Sequence, residues 1–463
     1  MSQCSLENCD NECFENKSEC ILHLENTFLK NYFEQNINGE DVLIVKKINF
    51  LENFNYQIIF DISKSIKFLG CIFNSDKNIT LQEYKKVHFY NSTFNKPWKH
   101  LNIKDIIYSN CIFNEEITFD INLNNEKNSI NQIMMQGCNI NKKFDLDFSS
   151  ENVEECQIET LDLSDSVFHK KVEIKCCNIT TCTLTNTRFN ALCDFYKTEF
   201  HTTIFYKTSF GNISVFTEVA FHEDVNFQFT TFEKLTLFRK TIFVKSVNLI
   251  DSIIKEEANF LGIESDNGKL KKENIKNRET ARIIKNSFEK ENNIIEANKF
   301  YAIEMKKMEN ELSFFDTSQW FIFKIHGISS DHSQSWLKSL MWIFIIALLY
   351  NSLKYMCNAP SINNINLILM IGSIFMVSIY NLSFYKNIIY LNFSKYMIAI
   401  LFFANYIYLT KDYNLENMAN SINPFSVMTD WEEISFLALV LKVIISYLIY
   451  QFIVSVRQNT RRK

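Results

Sequence analysis

Between Phe221 and Phe243 the sequence runs FHEDVNFQFTTFEKLTLFRKTIF, with phenylalanine at 221, 227, 232, 238 and 243. The gaps of six, five, six and five fit neither regular backbone period. A strand alternates every second residue and a helix returns to one face every 3.6. A helix would bring Phe221, Phe232 and Phe243 together but leave Phe227 and Phe238 well off that face. Thr, Val and Ile also interrupt the run, and all three weaken a helix. The ladder extends back through Phe216 and Phe210 and on through Leu249, Ile254 and Phe260. Upstream the step is five, through Ile174, Ile179, Leu184 and Phe189, and again through Phe195, Phe200, Phe205 and Phe210. A fixed internal period marks a repeat architecture, in which each unit buries its apolar residue only by stacking on the next.

The residue two before each ladder position is nearly always small. It is Cys71 before Phe73, Ser92 before Phe94, Cys111 before Phe113 and Cys156 before Ile158. Cys177, Cys182, Thr187, Cys193, Thr198, Thr203 and Thr208 follow, then Thr230, Thr236, Thr241, Ser252 and Ala258. A large apolar residue with a small one two before it describes two inward positions on one short extended face. This pattern resembles the pentapeptide-repeat family, and FLGCIF (68–73), FYNSTF (89–94) and YSNCIF (108–113) match it well. The resemblance covers roughly residues 60–263. It implies a right-handed quadrilateral β-helix, with about five residues per face and about four faces per coil. We assign 41–263 to this solenoid. Leu161 departs from the pattern, standing at a small-residue position before Leu163, and residues 120–155 follow the ladder poorly, so bulges or an insertion are expected there. Scarce glycine (8) and proline (3) argue against many tight turns and flexible linkers.

Thirteen cysteines need an explanation. The N-terminus lacks the basic-then-apolar run of a secretory signal, so a reducing compartment without structural disulfides is expected. Cys71, Cys111, Cys138, Cys156, Cys177, Cys182 and Cys193 sit where the solenoid wants a small, weakly polar interior side chain. The segment 1–40 is different. Cys4, Cys9, Cys20 and His23 form C-x4-C-x10-C-x2-H. Two pairs of soft ligands across a short loop can close a tetrahedron around Zn²⁺, and such a closed site is structural. Metal binding would supply folding energy that so few apolar groups cannot. The segment resembles short zinc knuckles at the start of some bacterial repeat proteins. Cys13 is a spare that can replace Cys9, and a disordered cysteine-rich tail is the competing reading.

Residues 264–335 read as a charged helical neck. Ile294, Ala297, Tyr301, Met305, Met308 and Leu312 form one apolar seam, with a corner at 291–293, which fits a helical hairpin or a coiled coil that joins copies of the chain. FFDTSQWFIFKI suits an interfacial helix. Within 336–463 four apolar runs follow, Leu337–Leu353, Ile365–Phe384, Ile388–Leu409 and Ile434–Val456, each near the length of a membrane span. Arg457, Arg461, Arg462 and Lys463 place the C-terminus in the cytoplasm by the positive-inside rule, and an even number of spans returns the N-terminus there. Lys386 then lies in an inner turn, and Trp336, Trp342 and Trp431 at the interfaces. These features point to a multi-pass protein of a bacterial inner membrane. Lys442 stands inside the last run, either as a functional charge or as a side chain reaching for the interface.

No phosphate loop, H-E-x-x-H or G-x-S-x-G motif is present, and the net charge of −5 gives no nucleic-acid footprint. The expected function is a membrane-anchored, non-enzymatic scaffold that presents a rigid cytoplasmic solenoid to an unidentified protein partner, with lipid around its helices. The alternative is an ion channel or transporter with a solenoid regulatory domain, as the order of segments resembles bacterial repeat proteins that end in pores. A T-V-G-Y-G filter is absent and Gly372 is the only glycine in a span. A DNA mimic of the kind found in soluble members of the family ranks last, because the solenoid is balanced in charge and tethered.

Overall fold

A computed structural model describes residues 3–460 except 6–8, 10, 14–18, 24–25, 39–40, 53, 64, 76–78, 81–85, 102–103, 121–128, 149–155, 267, 314–316, 359–370, 373–399, 401–402 and 426–434. The chain divides into two compact units, Met1–Phe288 and Glu289–Lys463.

In the first unit parallel strands stack into a β-solenoid of about nine turns. Three sheets of 14, ten and nine strands run along it. Phe210 pairs with Phe232 one coil on, which is the 22-residue sum of the four gaps. The rings of that pair stack 5.2 Å apart at 2°. Phe216 and Phe238 stack at 4.9 Å, and Phe238 and Phe260 at 5.0 Å. Within a coil the rings meet edge to face instead, as Phe221 and Phe227 do at 87°. Offset stacks and edge contacts are the two arrangements that the ring quadrupole favours. From Ser209 onward each coil has four two-residue strands, such as Ser209–Phe210, Ser214–Val215, Ala220–Phe221 and Val225–Asn226. Earlier coils have three, because strands such as Lys86–Tyr90 and Cys177–Thr183 run through what is later a corner. Glu199–Ile204 marks the change, pairing with both Ala220–Phe221 and Val225–Asn226. The four-sided cross-section therefore belongs to the later coils. Leu161 is fully buried in one of the longer strands, where a large residue fits.

The small position does more than fill space. The Thr208 hydroxyl donates to the Leu184 carbonyl one coil earlier at 2.7 Å, Thr230 to Phe205 at 2.7 Å and Thr241 to Phe216 at 2.8 Å. Cys111 and Cys138 thiols make the weaker equivalent to Phe89 and Tyr108 at 3.4 and 3.6 Å. Each of these groups adds a bond between coils to a buried carbonyl, beside the one that the Leu184, Phe205 and Phe216 carbonyls take from the amide of their own turn. Among the described residues, Thr203 is buried without such a partner.

The expectation of few tight turns is overturned. Left-handed residues stand at Asp165, Cys176, Asn186, Lys197, Lys207, Glu218, Phe229, Lys240 and Asp251, ten or eleven residues apart, and none is glycine. Val219 N donates back to Phe216 O, which makes Glu218 the third residue of a β-turn. A side chain in this conformation costs roughly 1–2 kcal/mol. The turn amides recover part of it by bonding the next coil, as Glu218 N does to Arg239 O at 3.0 Å. The irregular stretch is also located. Ile140 pairs with Phe113, 27 residues before it, and with Phe168, 28 after it, so two coils exceed the usual length while keeping register. The surplus falls in 121–128 and 149–155, outside the described residues.

Both ends of the stack are covered. At the start, α1 (Asn26–Gln35) buries Leu29 and Phe33, and α2 (Gln57–Phe60) buries Ile59 and Phe60. At the finish the Asn274 amide reaches the Phe243, Val244 and Lys245 carbonyls at 3.0, 3.1 and 2.8 Å. The Thr280 hydroxyl of α3 (Arg278–Lys290) accepts from Leu249 N at 2.8 Å. Open sheet edges invite association, and these caps remove them.

In the second unit Asn293 caps α4 (Ile294–Glu311), and Asn292 is the left-handed corner before it. The buried face of α4 is not the expected seam. It carries Ala297, Phe300, Glu304 and Glu309, while Tyr301, Met305 and Met308 are half-buried. α5 (Thr317–Ser330) leads to α6 (Trp336–Asn358), and α7 (Glu416–Ile422) precedes α8 (Phe436–Thr460). Only α6 and α8 are long and apolar enough to cross a membrane among the described residues, not four helices. The runs Ile365–Phe384 and Ile388–Leu409 lie largely outside the described residues, as do Lys386, Trp431, Arg461, Arg462 and Lys463. Ile343, Ala347, Leu348, Leu441, Ile445 and Leu448 pack the two helices together.

Two substitutions separate the ladder from the rungs. Phe227→Ala empties a fully buried stack and is expected to cost about 3–5 kcal/mol in a melt. Thr230→Val keeps the shape but removes one of the two hydrogen bonds to the Phe205 carbonyl, which keeps the Thr208 amide, and is expected to cost about 0.5–1.5 kcal/mol. Lys234→Ala, at an exposed ion pair with Glu256, is expected to stay within about 0.5 kcal/mol. Equal losses at all three sites would contradict the stacked core.

Candidate metal centre

All four residues of the N-terminal motif meet. The ligand atoms of Cys4, Cys9, Cys20 and His23 lie within 4.8 Å of one another, and the cluster can hold a metal ion. Cys9 Sγ stands 3.5 Å from Cys20 Sγ. His23 presents Nδ1, 3.5 Å from Cys4 Sγ and 3.4 Å from Cys20 Sγ. A single turn of 3-10 helix, Ile21–His23, swings the ring back onto Cys20. A short antiparallel bridge between Gln3 and Glu12 folds the first loop, bringing Cys4 and Cys9 together. Leu22 and Leu51 cover the thiols.

The surroundings suit sulfur ligands. The Cys20 amide donates to Cys4 Sγ at 3.3 Å and the Asn11 amide to Cys9 Sγ at 3.5 Å. Such donors orient ligands and spread their charge. Burial, with the neighbouring Cys9 and Cys4, pushes the Cys20 thiol up to about 12. A cation at the centre supplies the counter-charge that three thiolates need. Cys13 does not belong to the set. Its Sγ donates to the Gln3 carbonyl at 3.0 Å, so Cys9, and not Cys13, stands in the cluster that can hold a metal ion.

Asn11 is the residue that the motif did not reveal. Its side chain accepts from Asn49 N and donates to Asn49 O, both at 2.6 Å, and so clamps the knuckle onto the first strand of the ten-stranded sheet. That strand begins an amide ladder through Asn49, Asn74, Asn95, Asn114 and Asn141, with steps of 2.7, 2.8, 2.7 and 2.9 Å. An asparagine directly after Phe73, Phe94, Phe113 and Ile140 was the available signal.

A second group that can hold a metal is Asp145, Asp147 and Glu173 on one outer face of the solenoid. Lysines already answer it. Lys143 and Lys171 reach Glu173 at 2.7 and 2.9 Å, and Lys175 bridges Glu173, Asp147 and Asp194. Burial works to raise the Glu173 carboxyl, but the three ammoniums hold it down to about 2. The group is an ion-pair network between coils. It strengthens the stack above the ordinary carboxyl value and loses effect as pH falls toward 2.

Lys442 has a structural position in the helical unit. Its ammonium donates to the carbonyls of Asn420, Ser421 and Asn423 at 2.5, 3.1 and 2.6 Å. These carbonyls end α7, where the helix leaves them unpaired and its dipole is negative. The charge therefore closes a helix terminus.

Metal content distinguishes the ligands from the spare. The whole protein is expected to bind one equivalent of a divalent metal. Cys9→Ser and Cys20→Ser should lower the bound fraction sharply, while Cys13→Ser should leave it unchanged. Equal losses in Cys9→Ser and Cys13→Ser would contradict the set.

No family model, no curated protein and no solved structure matches this chain.

Proposed function

We propose that the protein is a membrane-anchored, non-enzymatic scaffold whose solenoid, of the right-handed pentapeptide-repeat type, presents a rigid face to a protein partner in the cytoplasm. The observation that carries this reading is a capped stack of about nine turns in one chain with two helices apolar enough to cross a membrane. α8 leaves Phe436 82%, Leu437 61% and Val443 64% exposed, which an aqueous surface tolerates poorly and a bilayer accepts. The topology we propose is multi-pass with both termini in the cytoplasm, which the two candidate spans already allow. The solenoid surface carries paired charges coil after coil, such as Lys240 with Glu218 and Lys255 with Glu233, which suits protein recognition better than an anionic or cationic polymer.

Zinc is the ion we propose for Cys4, Cys9, Cys20 and His23. With Zn–S of about 2.3 Å and Zn–N of about 2.0 Å, a tetrahedron has S–S and S–N edges of about 3.8 and 3.5 Å. The distances of 3.4–3.5 Å in the cluster approach those edges. Four protein ligands leave no open position, so the ion would fasten the knuckle rather than do chemistry.

Protease protection in sealed membranes tests the topology. Protease added outside right-side-out vesicles should leave the solenoid intact, and in inverted vesicles it should release it. Cleavage only in right-side-out vesicles would overturn the cytoplasmic scaffold. Purified protein in a planar bilayer should be silent, and reproducible single-channel currents would favour the channel.

A further inference from the structure

The helical unit contains a buried polar chain that neither anchoring nor scaffolding uses. Glu309 of α4 is 3% exposed and His332, in the turn between α5 and α6, is 1% exposed. Glu309 takes Lys324 at 2.6 Å, Lys306 at 2.8 Å and His332 Nε2 at 3.2 Å. His332 Nδ1 lies 3.3 Å from His326 Nδ1, and His326 Nε2 lies 3.1 Å from the Ser333 hydroxyl. The chain continues to α8 through Ser330, which donates to Gln451 at 3.1 Å, and through Ser329, 3.4 Å from the Tyr447 hydroxyl.

The backbone at this point is strained. Asp331, His332 and Ser333 are all left-handed, at φ 52, 54 and 66°. Three consecutive side chains in that region cost roughly 1–2 kcal/mol each and persist only where neighbours hold them. Three hydrogen bonds hold the turn. Gln334 donates to Asn298 O and Asn459 donates to Gln334 O, both at 3.0 Å, and Lys338 of α6 donates to Gly327 O at 2.9 Å. Gly327 permits the closest approach, since a Cβ there would stand 3.1 Å from Glu309 Oε2 and 3.3 Å from His332 Nε2.

Donor counting gives the proton state. An ionised Glu309 requires Nε2–H on His332, which leaves His332 Nδ1 as acceptor. His326 then donates from Nδ1, and its Nε2 accepts from Ser333. Both rings are neutral and every hydrogen bond runs toward Glu309. A proton on His326 enters at Nε2, where the Ser333 hydroxyl turns to accept it. A proton on His332 enters at Nδ1, opposite the His326 N–H across 3.3 Å, and His326 yields by exchanging tautomers, again with Ser333 as acceptor. A second proton has no such escape. The surrounding charges oppose it too. From α4 come Lys306 and Glu309, from α5 Lys324, from the turn Asp331 and from α6 Lys338, while α8 contributes the neutral Tyr447 and Gln451. Two of these ammoniums, Lys306 and Lys324, already pair with the one buried carboxylate, and Lys338 stands on the Gly327 carbonyl.

We propose that Glu309, His332 and His326 form a proton-operated latch, which holds the strained 331–333 turn on α8 while the two imidazoles share at most one proton and releases it when acidification adds the second. Burial, and then the charge of His332, keep the His326 ring below its ordinary value of 6.5. The folded state therefore prefers the neutral ring. The latch is at full strength above about pH 6.5 and weakens as pH falls below it, because the open state then binds more protons. Burial would raise the Glu309 carboxyl, but His332, Lys306 and Lys324 hold it well below 4.5, so the anion persists throughout that range.

Hydrogen exchange on the full-length protein in lipid nanodiscs, at about pH 7.5 and about pH 5.5 with times scaled for intrinsic exchange, reads the latch directly. Amides across 328–335 should lose protection about tenfold per pH unit below 6.5, the value for a one-proton opening. His326→Asn keeps a donor toward His332 but cannot titrate, and its protection should not change with pH. Protection that is independent of pH in the unaltered protein, or a pH dependence that survives in His326→Asn, would overturn the latch. Should the variant fold poorly, ring ¹⁵N shifts of the unaltered protein decide. His326 and His332 should not both be charged before protection falls, and two rings that both titrate with no change in exchange would refute the proposal.

Discussion

Everything in the solenoid depends on one contact made repeatedly, a buried ring lying flat on the ring of the preceding coil. Phe94 on Phe113 at 4.5 Å and Phe221 on Phe243 at 5.6 Å show the extremes of the stack. A two-residue strand has almost no stability by itself. It forms because its phenylalanine can stack and its carbonyl can find a hydroxyl, thiol or amide in the adjoining coil. Both contacts are non-local by about twenty residues, so no coil is stable without its neighbours. The left-handed corners follow from the same constraint. They are tolerated with lysine, glutamate or phenylalanine because the stack fixes the backbone from both sides.

A stack of this kind has ends, and the ends explain much of the remaining chain. The helices α1 and α2 lie over the first coil, and Asn11 pairs both backbone groups of Asn49. The metal cluster is attached to that clamp through Asn11, which contacts both Cys9 and the edge strand. At the other end Asn274 takes three carbonyls that a further coil would have bonded. A metal site that looks isolated in the sequence is thus part of how the solenoid closes.

The ladder and the small residue before it were legible because packing repeats, and repetition leaves a period. Seven interior cysteines and the meeting of Cys4, Cys9, Cys20 and His23 were legible for related reasons, as residue type and spacing carried the chemistry. The corners were not, because backbone conformation imposed by neighbouring coils leaves no composition signal at Lys197, Lys240 or Phe229. Phe229 is half exposed, turned outward by its left-handed φ, with its ring on Tyr206. The buried face of α4 was missed because two of its residues are glutamates, which periodicity assigns to solvent. Glu309 is interior because Lys306, Lys324 and His332 meet it there, and pairing of that kind is invisible to a hydrophobic pattern. Asn11 was missed because a single asparagine in a polar loop has no period at all.

The central claim is that coils advance along one axis by one strand spacing each, and pairwise distances test it most directly. Ile72, Ile112 and Ile253 are exposed on the second, fourth and tenth strands of the ten-stranded sheet. Spin labels placed there through a non-cysteine chemistry leave the interior thiols intact. At about 4.8 Å per strand, Ile112 to Ile253 should measure about 29 Å and Ile72 to Ile253 about 38 Å. The separation should grow in proportion to the number of strands between labels. Two similar distances, or a Ile72–Ile253 distance shorter than the Ile112–Ile253 one, would contradict a stacked solenoid.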